Sequence, residues 1–348
     1  MQTPIFRTEE PLWFLETAWC SQTQMGLSES TVWDLQSLMG ARQMWTLGDA
    51  GMRPSEMPWH RPGIMKVLLV IALAQLAVGF ELTDPDWVAF KSAHGKAYSH
   101  PAEEAARLAI FKDNQRLIAE HNAGNHSFKL GVNKFADLTN AEYRQLFGHR
   151  MAERRGLKAS VKHLKRGVTE ATVDWRDYGV VTPVKDQGIY GNTPCGDGLA
   201  SNAFEYLVDE GGIMSEADYP STMASYPNCN YDPAQAAAKI SSWVQISEGD
   251  ESELEDAVAN VGPIAIRTDA SHFSFQLYSR GVYNEPHCSS SRLDHAMLVV
   301  GYGTESGQDY WLVKNSWGTG WGLSGYIKMS RNAGNQCGVA TDANYPLP

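Results

Sequence analysis

Three things are scarce in this 348-residue chain, and each scarcity excludes a class of function. Positive charge is short, with 29 Lys and Arg against 40 Asp and Glu and a formal net charge of −11. Such a chain offers no basic face for phosphates, which argues against a nucleic-acid partner. Long apolar runs are short too. The longest, Val67 to Phe80, falls below the roughly 20 residues a bilayer span needs, so no stable membrane anchor is expected. Cysteine pairs of the C-x-x-C kind do not occur, so the five cysteines do not read as zinc ligands, and neither metal nor cofactor is expected. Cys195, Cys229, Cys288 and Cys337 lie together in the C-terminal half and Cys20 stands apart. An even set confined to one region fits an oxidising compartment.

The short apolar run has a reading of its own. Met65 and Lys66 precede it, and Ala77 and Gly79 supply small residues at the −3 and −1 positions of a cleavage point. Residues 65–79 are therefore expected to be a signal peptide, sending the chain into the secretory pathway, to the lysosome or the extracellular space. Residues 1–64 hold five tryptophans and no period or repeat; they are an upstream extension whose role the residues do not reveal. The tripeptide beginning at Asn125 (Asn-His-Ser) is a glycosylation acceptor pattern.

Beyond residue 80 the chain becomes charged and helical. Glu103, Arg107, Phe111, Asn114, Ile118 and Asn122 recur at steps of three and four, one face of a helix spanning residues 100–122. Periodicity alone also fits a plain amphipathic helix. The identities are more specific: this order, followed by Gly131, Asn133, Phe135 and Asp137 in GVNKFAD, resembles the two prosegment signatures of papain-family cysteine peptidases of the cathepsin L type. After a basic stretch that suits a cleavable linker, ATVDWRDYGVVTPVKDQG resembles the start of the family's mature enzyme. The resemblance implies an inhibitory prosegment over residues 80–170 and a peptidase domain over 171–348. The fold it implies is α+β: a papain-like pair of lobes, the left helical and the right β-barrel-like, with a helical prosegment. Within the domain, GLASNAFEYLVDEGG reads as a helix closed by Gly211 and Gly212.

A cysteine peptidase needs a thiolate, a base, an orienter for that base and oxyanion donors. The resemblance places three of these. His295, in RLDHAMLVVGYG, would be the base. Asn315, in KNSWGTGWG, would orient the imidazole, with Trp317 shielding that contact. Gln187, in VKDQG, would donate to the oxyanion. Gly198, Leu199, Leu293, Ala296 and Trp317 would line the substrate cleft. Cys288 and Cys337 match a family disulfide.

The fourth part is missing. The family signature C-G-[SA]-C-[WY] should follow Gln187, yet the chain reads QGIYGNTPCGDGLA. Thr193 stands at the nucleophile's offset, and from Gly191 onward the sequence resembles a later family segment. A stretch carrying the catalytic cysteine and the helix it heads is thus expected to be absent near residues 191–192, leaving the left lobe incomplete. Cys195 is the one nearby thiol and a weak substitute: the resemblance makes it a disulfide cysteine, and Gly196 and Gly198 oppose helix onset. Asp197 stands where the family keeps a glycine for the substrate backbone. Three functions stay open: an endopeptidase by descent acting on peptides or proteins, a prosegment-type inhibitor or chaperone of sibling cathepsins whose own prosegment fills the cleft, and a peptide-binding pseudoenzyme.

Overall fold

The computed structural model describes residues 82–147, 159, 161–168, 170–188, 199–220 and 230–348. The upstream extension, the signal peptide, Cys195, Gly198 and Cys229 lie outside these residues. The described residues fall into two compact units divided at Leu108 and Ala109.

The first unit holds helix α1, Pro85–His94, and the start of α2, Pro101–Ala123. Asp84 caps α1 by accepting from the backbone N–H groups of Asp86 and Trp87, and Pro85 supplies a preset φ in the first turn. Trp87 stacks on Phe90 and Tyr98 and donates its indole N–H to Glu104. The expected helix over 100–122 is therefore present as α2.

The second unit explains why the α2 signature contains asparagines. Asn114 is buried and donates to the carbonyls of Ala136 and Leu138. Asn122 both donates to the carbonyl of Leu130 and accepts from its N–H, each at 2.9 Å. Non-helical backbone packed against a helix has no ladder to satisfy it, so side-chain amides do so instead.

The second unit is dominated by a ten-stranded sheet. Its strands are β1 Phe128–Leu130, β2 Val161–Lys162, β3 Val173–Asp174, β4 Ser242–Gln245, β5 Ile264–Thr268, β6 Tyr278–Tyr283, β7 His295–Glu305, β8 Gln308–Lys314, β9 Tyr326–Ser330 and β10 Ala343–Leu347. They run in the order β1-β6-β9-β8-β7-β5-β10-β4-β2, with β3 paired to β7. The sheet is open along this path rather than closed into a barrel. Both end strands come from the region before residue 171, so this region covers each edge that would otherwise stay unpaired.

Strand β7 lies at the centre, with Val299 and Val300 fully buried. Ser306 and Gly307, both at positive φ, form the two-residue turn into β8 that suits the twist of a hairpin. An irregularity between Val299 and Gly301 shifts the register by one residue, which reassigns the faces of everything nearer the start of β7. At Gly301 a Cβ would meet the carbonyl oxygen of Val173 at 2.1 Å, so only glycine lets β3 pair there. Among the described residues the unit has four more helices: α3 Asn140–Phe147, α4 Ala200–Glu210, α5 Glu251–Asn260 and α6 Phe273–Gln276. The helix expected before Gly211 is α4, and Gly211 ends it in a left-handed cap. Phe204 and Leu207 of α4 pack with Trp243 and Ala265.

Candidate active site

His295 opens β7, and Asn315 follows the end of β8. The hairpin turns these two positions, 20 residues apart in sequence, into neighbours: His295 Nε2 lies 2.8 Å from Asn315 Oδ1. The same Oδ1 accepts the backbone N–H of Ser316 at 2.8 Å, which identifies it as the amide's oxygen. An oxygen can only accept, so Nε2 carries the proton and Nδ1 keeps a lone pair facing away from Asn315. Trp317, fully buried, stacks on the imidazole with centroids 4.7 Å apart. Burial pushes the His295 pKa down to about 4, against the pull of the Asn315 contact, so the ring is a neutral base in this state. Asn315 Nδ2 has no hydrogen-bond partner among the described residues, a cost that structures tolerate chiefly at functional positions.

Gln187 reaches the same place through an antiparallel bridge between Asp186 and Trp317. Its N–H donates to the Ser316 carbonyl at 2.8 Å, and Ser316 Oγ donates to Gln187 Oε1. The side-chain oxygen is thereby occupied, and the amide N–H₂ is the end left to act as a donor. The structure therefore joins His295, Asn315 and Trp317 directly, and ties Gln187 to them through Ser316. Sequence reading missed Ser316, although it sits inside the quoted N-S-W-G motif. Leu199 and Leu293 are buried, and Ala296 is half-buried on β7 opposite Arg267 of β5.

The GVNKFAD stretch and the helix after it pack against this site. Phe135 and Tyr143 meet the Trp317 ring edge to face, at 5.2 and 5.8 Å. Tyr143 donates its hydroxyl proton to the carbonyl of Ala270, and Asn133 donates to that of Gln276. Gln276 in turn donates to the carbonyls of Phe135 and Leu138. Lys134 pairs with Asp186 at 2.5 Å, next to Gln187. Strand β1 adds antiparallel to β6, pairing Phe128 with Gly281. Residues 128–143 thus pack on the strands and turns after residue 171 through aromatic contact, main-chain pairing and ion pairing together.

Asp294, immediately before His295, is the other perturbed group here. Burial raises its carboxyl to about 6, with Asp269 adding to the rise, although Asp294 accepts the N–H of Ala270 at 2.8 Å. Asp269 behaves oppositely: burial would raise it, but His272, Ser271 and Ser289 as donors hold it near 2. Asp269 and His272 lie beside Cys288, whose sulfur is bonded to Cys337, with Cα atoms 4.8 Å apart. A sulfur committed to a disulfide is not a metal-binding thiolate. The pairing of Cys288 with Cys337 implied by the resemblance is present.

The comparisons agree with this geometry. Residues 189–347 match the papain family cysteine protease family, and residues 87–143 match the cathepsin propeptide inhibitor domain. Cathepsin L of Sarcophaga peregrina is 42% identical over 337 positions, which take in 82% of this chain and 99% of that protein. Digestive cysteine proteinase 3 of Homarus americanus is 39% identical, covering 80% of this chain and 99% of that protein. The structure of digestive procathepsin L 3 from Tenebrio molitor larval midgut superposes with a TM-score of 0.67 at 37% identity, over 76% of this chain and 98% of that one. The chain belongs to the papain family of cysteine proteases, and within it to the cathepsin L-like proteins that carry their own inhibitory propeptide.

Proposed function

We propose that this chain is a cathepsin L-type proenzyme whose general base, orienting amide and oxyanion donor are in place but whose nucleophile is absent, so that as written it does not turn over peptides. The observation that carries this reading is the stretch after Gln187, QGIYGNTPCGDGLA, where no cysteine stands at the offset the family uses. The alignment supports it. With 82% of a 348-residue chain spread over 337 aligned positions, about fifty positions of the Sarcophaga protein have no residue of this chain opposite them. That total leaves room for a catalytic segment with its helix and following loop.

In this reading residues 65–79 are a signal peptide for a secretory, lysosomal or extracellular destination, 80–170 the prosegment and 171–348 the peptidase domain with a deletion near 191–192. His295 Nδ1 is the atom that would take a proton from a thiol and return it to a leaving amine. Its neutrality beneath the prosegment suits a base held in reserve. Gln187 would steady the developing oxyanion. Without a thiolate these groups have no covalent partner, and loss of one member of such a unit costs on the order of a millionfold in kcat.

The experiment is to purify the chain, remove the prosegment with an added peptidase, and measure hydrolysis of a cathepsin L-type dipeptide substrate together with labelling by an epoxide that alkylates papain-family cysteines. Neither should occur. Inserting a family-type segment between Tyr190 and Asn192 should restore both. Turnover by the unmodified chain that is lost on Cys195→Ser and on His295→Ala would show that Cys195 is the nucleophile and that this reading is wrong.

A second reading is favoured by the completeness of the prosegment contacts. Residues 127–143 keep the aromatic, main-chain and ion-pair anchors described above, so the chain or its prosegment is suited to blocking sibling cathepsins. A fragment spanning residues 80–165 should then inhibit an active cathepsin L-type enzyme at micromolar concentration.

A further inference from the structure

The stretch after β2 presents a basic sequence in the open. Residues 164–168, Leu-Lys-Arg-Gly-Val, are all exposed, Leu164 by 80%. The backbone of this stretch is nevertheless bound tightly by α5. The Asp256 carboxylate, only 3% exposed, accepts the N–H of Arg166 at 3.1 and 3.0 Å and that of Gly167 at 2.6 Å. It also lies 2.9 Å from the His163 ring, which is 2% exposed and reaches the Tyr345 hydroxyl with its other nitrogen. Asn260, one turn further along α5, donates to the Gly167 carbonyl at 3.1 Å and to that of Asp256 at 3.0 Å. Gly167 itself is held at a φ of +86°.

These contacts bear on one peptide bond, the one joining Arg166 to Gly167. A serine peptidase with an acidic specificity pocket takes an exposed Arg or Lys before the bond it cuts. It binds its substrate as an extended strand through main-chain hydrogen bonds. Here the Arg166 side chain is exposed and Lys165 pairs with Asp250 at 3.1 Å, while the N–H of Arg166 and that of the bond itself are spent on Asp256 and Gly167 is folded out of the extended region.

We propose that Arg166–Gly167 is a processing site for a trypsin-class serine peptidase, and that Asp256 is a guard that holds it closed. Cutting requires the strap to lift from α5. The peptidase's own serine then takes the Arg166 acyl group, Gly167 leaves as a free amine, and water releases Arg166 as a carboxylate. The cut severs the prosegment from the peptidase part without any nucleophile in this chain, so it holds whether or not the proposal of an absent cysteine is right.

The test uses the full chain, blocked with an epoxide inhibitor so that cysteine-peptidase activity cannot contribute, and treated with trypsin under native conditions. Fragments are identified by N-terminal sequencing. The fragment beginning at Gly167 should form slowly from the wild type, about ten- to a hundredfold faster from Asp256→Asn, and not at all when Arg166→Gln is added. Asn260→Ala, which frees the Gly167 carbonyl without touching the buried carboxylate, should give a smaller acceleration of the same fragment. Chymotrypsin digestion reports global loosening and should be unchanged in Asn260→Ala. Equal rates of Gly167 fragment formation in the wild type and both guard variants would overturn the proposal. So would an Asp256→Asn effect that speeds cutting at every basic residue alike while Asn260→Ala has none.

Discussion

The opposed titrations of Asp294 and His295 make the sharpest prediction. Two adjacent residues, His295 buried and Asp294 half-buried, have pKa values moved past one another: the imidazole down from 6.5 to about 4, the carboxyl up from 3.8 to about 6. For His295 the unfolded state binds the extra proton first, so stability falls as pH drops from about 6.5 toward 4. For Asp294 the folded state binds it first, so stability rises as pH drops from about 6 toward 4. At 1.36 kcal/mol for each pH unit, either swing amounts to about 3 kcal/mol, and in the wild type they nearly cancel. Removing one group exposes the other. Asp294→Asn should lose about 3 kcal/mol between pH 7.5 and 4 relative to wild type, and His295→Gln should gain about as much. The double variant should follow the wild-type curve. Urea unfolding at constant ionic strength, each protein referred to its own value at pH 7.5, reads this as midpoint shifts of about 1 M in opposite directions. Parallel pH profiles for the two single variants would refute the reasoning, because both arise from burial in the same few ångströms.

Three further outcomes are expected. Reducing Cys288–Cys337, or replacing both cysteines by serine, should cost about 4 kcal/mol for a loop of 49 residues, and an unfolding midpoint insensitive to reductant would rule the bond out of the folded protein. Phe135→Ala removes a fully buried ring from the Trp317 cluster and should cost about 3–5 kcal/mol, accompanied by a red shift of tryptophan emission; an unshifted spectrum would contradict the packing. Asn122→Ala should cost about 1–3 kcal/mol and speed hydrogen exchange at the Leu130 amide, while an unchanged exchange rate there would mean the staple is not formed in solution.

Much of the site was legible because its residues sit in runs whose order is itself distinctive. DHAMLVVGYG and KNSWGTGWG placed His295, Asn315 and Trp317, and the Ser306-Gly307 turn between them needs only local backbone chemistry to fold them together. The α2 helix was legible for a similar reason, since its spacing is a property of the helix alone. Other parts depended on residues far apart in sequence. Asn133 finds the Gln276 carbonyl across 143 positions, and Tyr143 finds Ala270 across 127. Asp294 acquired its raised pKa from burial beside Asp269, and Ser316 became the link to Gln187 only once the bridge at Trp317 had formed. A residue's type and its near neighbours set its backbone preference and its chemistry. Its partner and its dielectric surroundings come from register and packing, and in β7 a single irregular residue decides which face His295 and its strand neighbours take against β8.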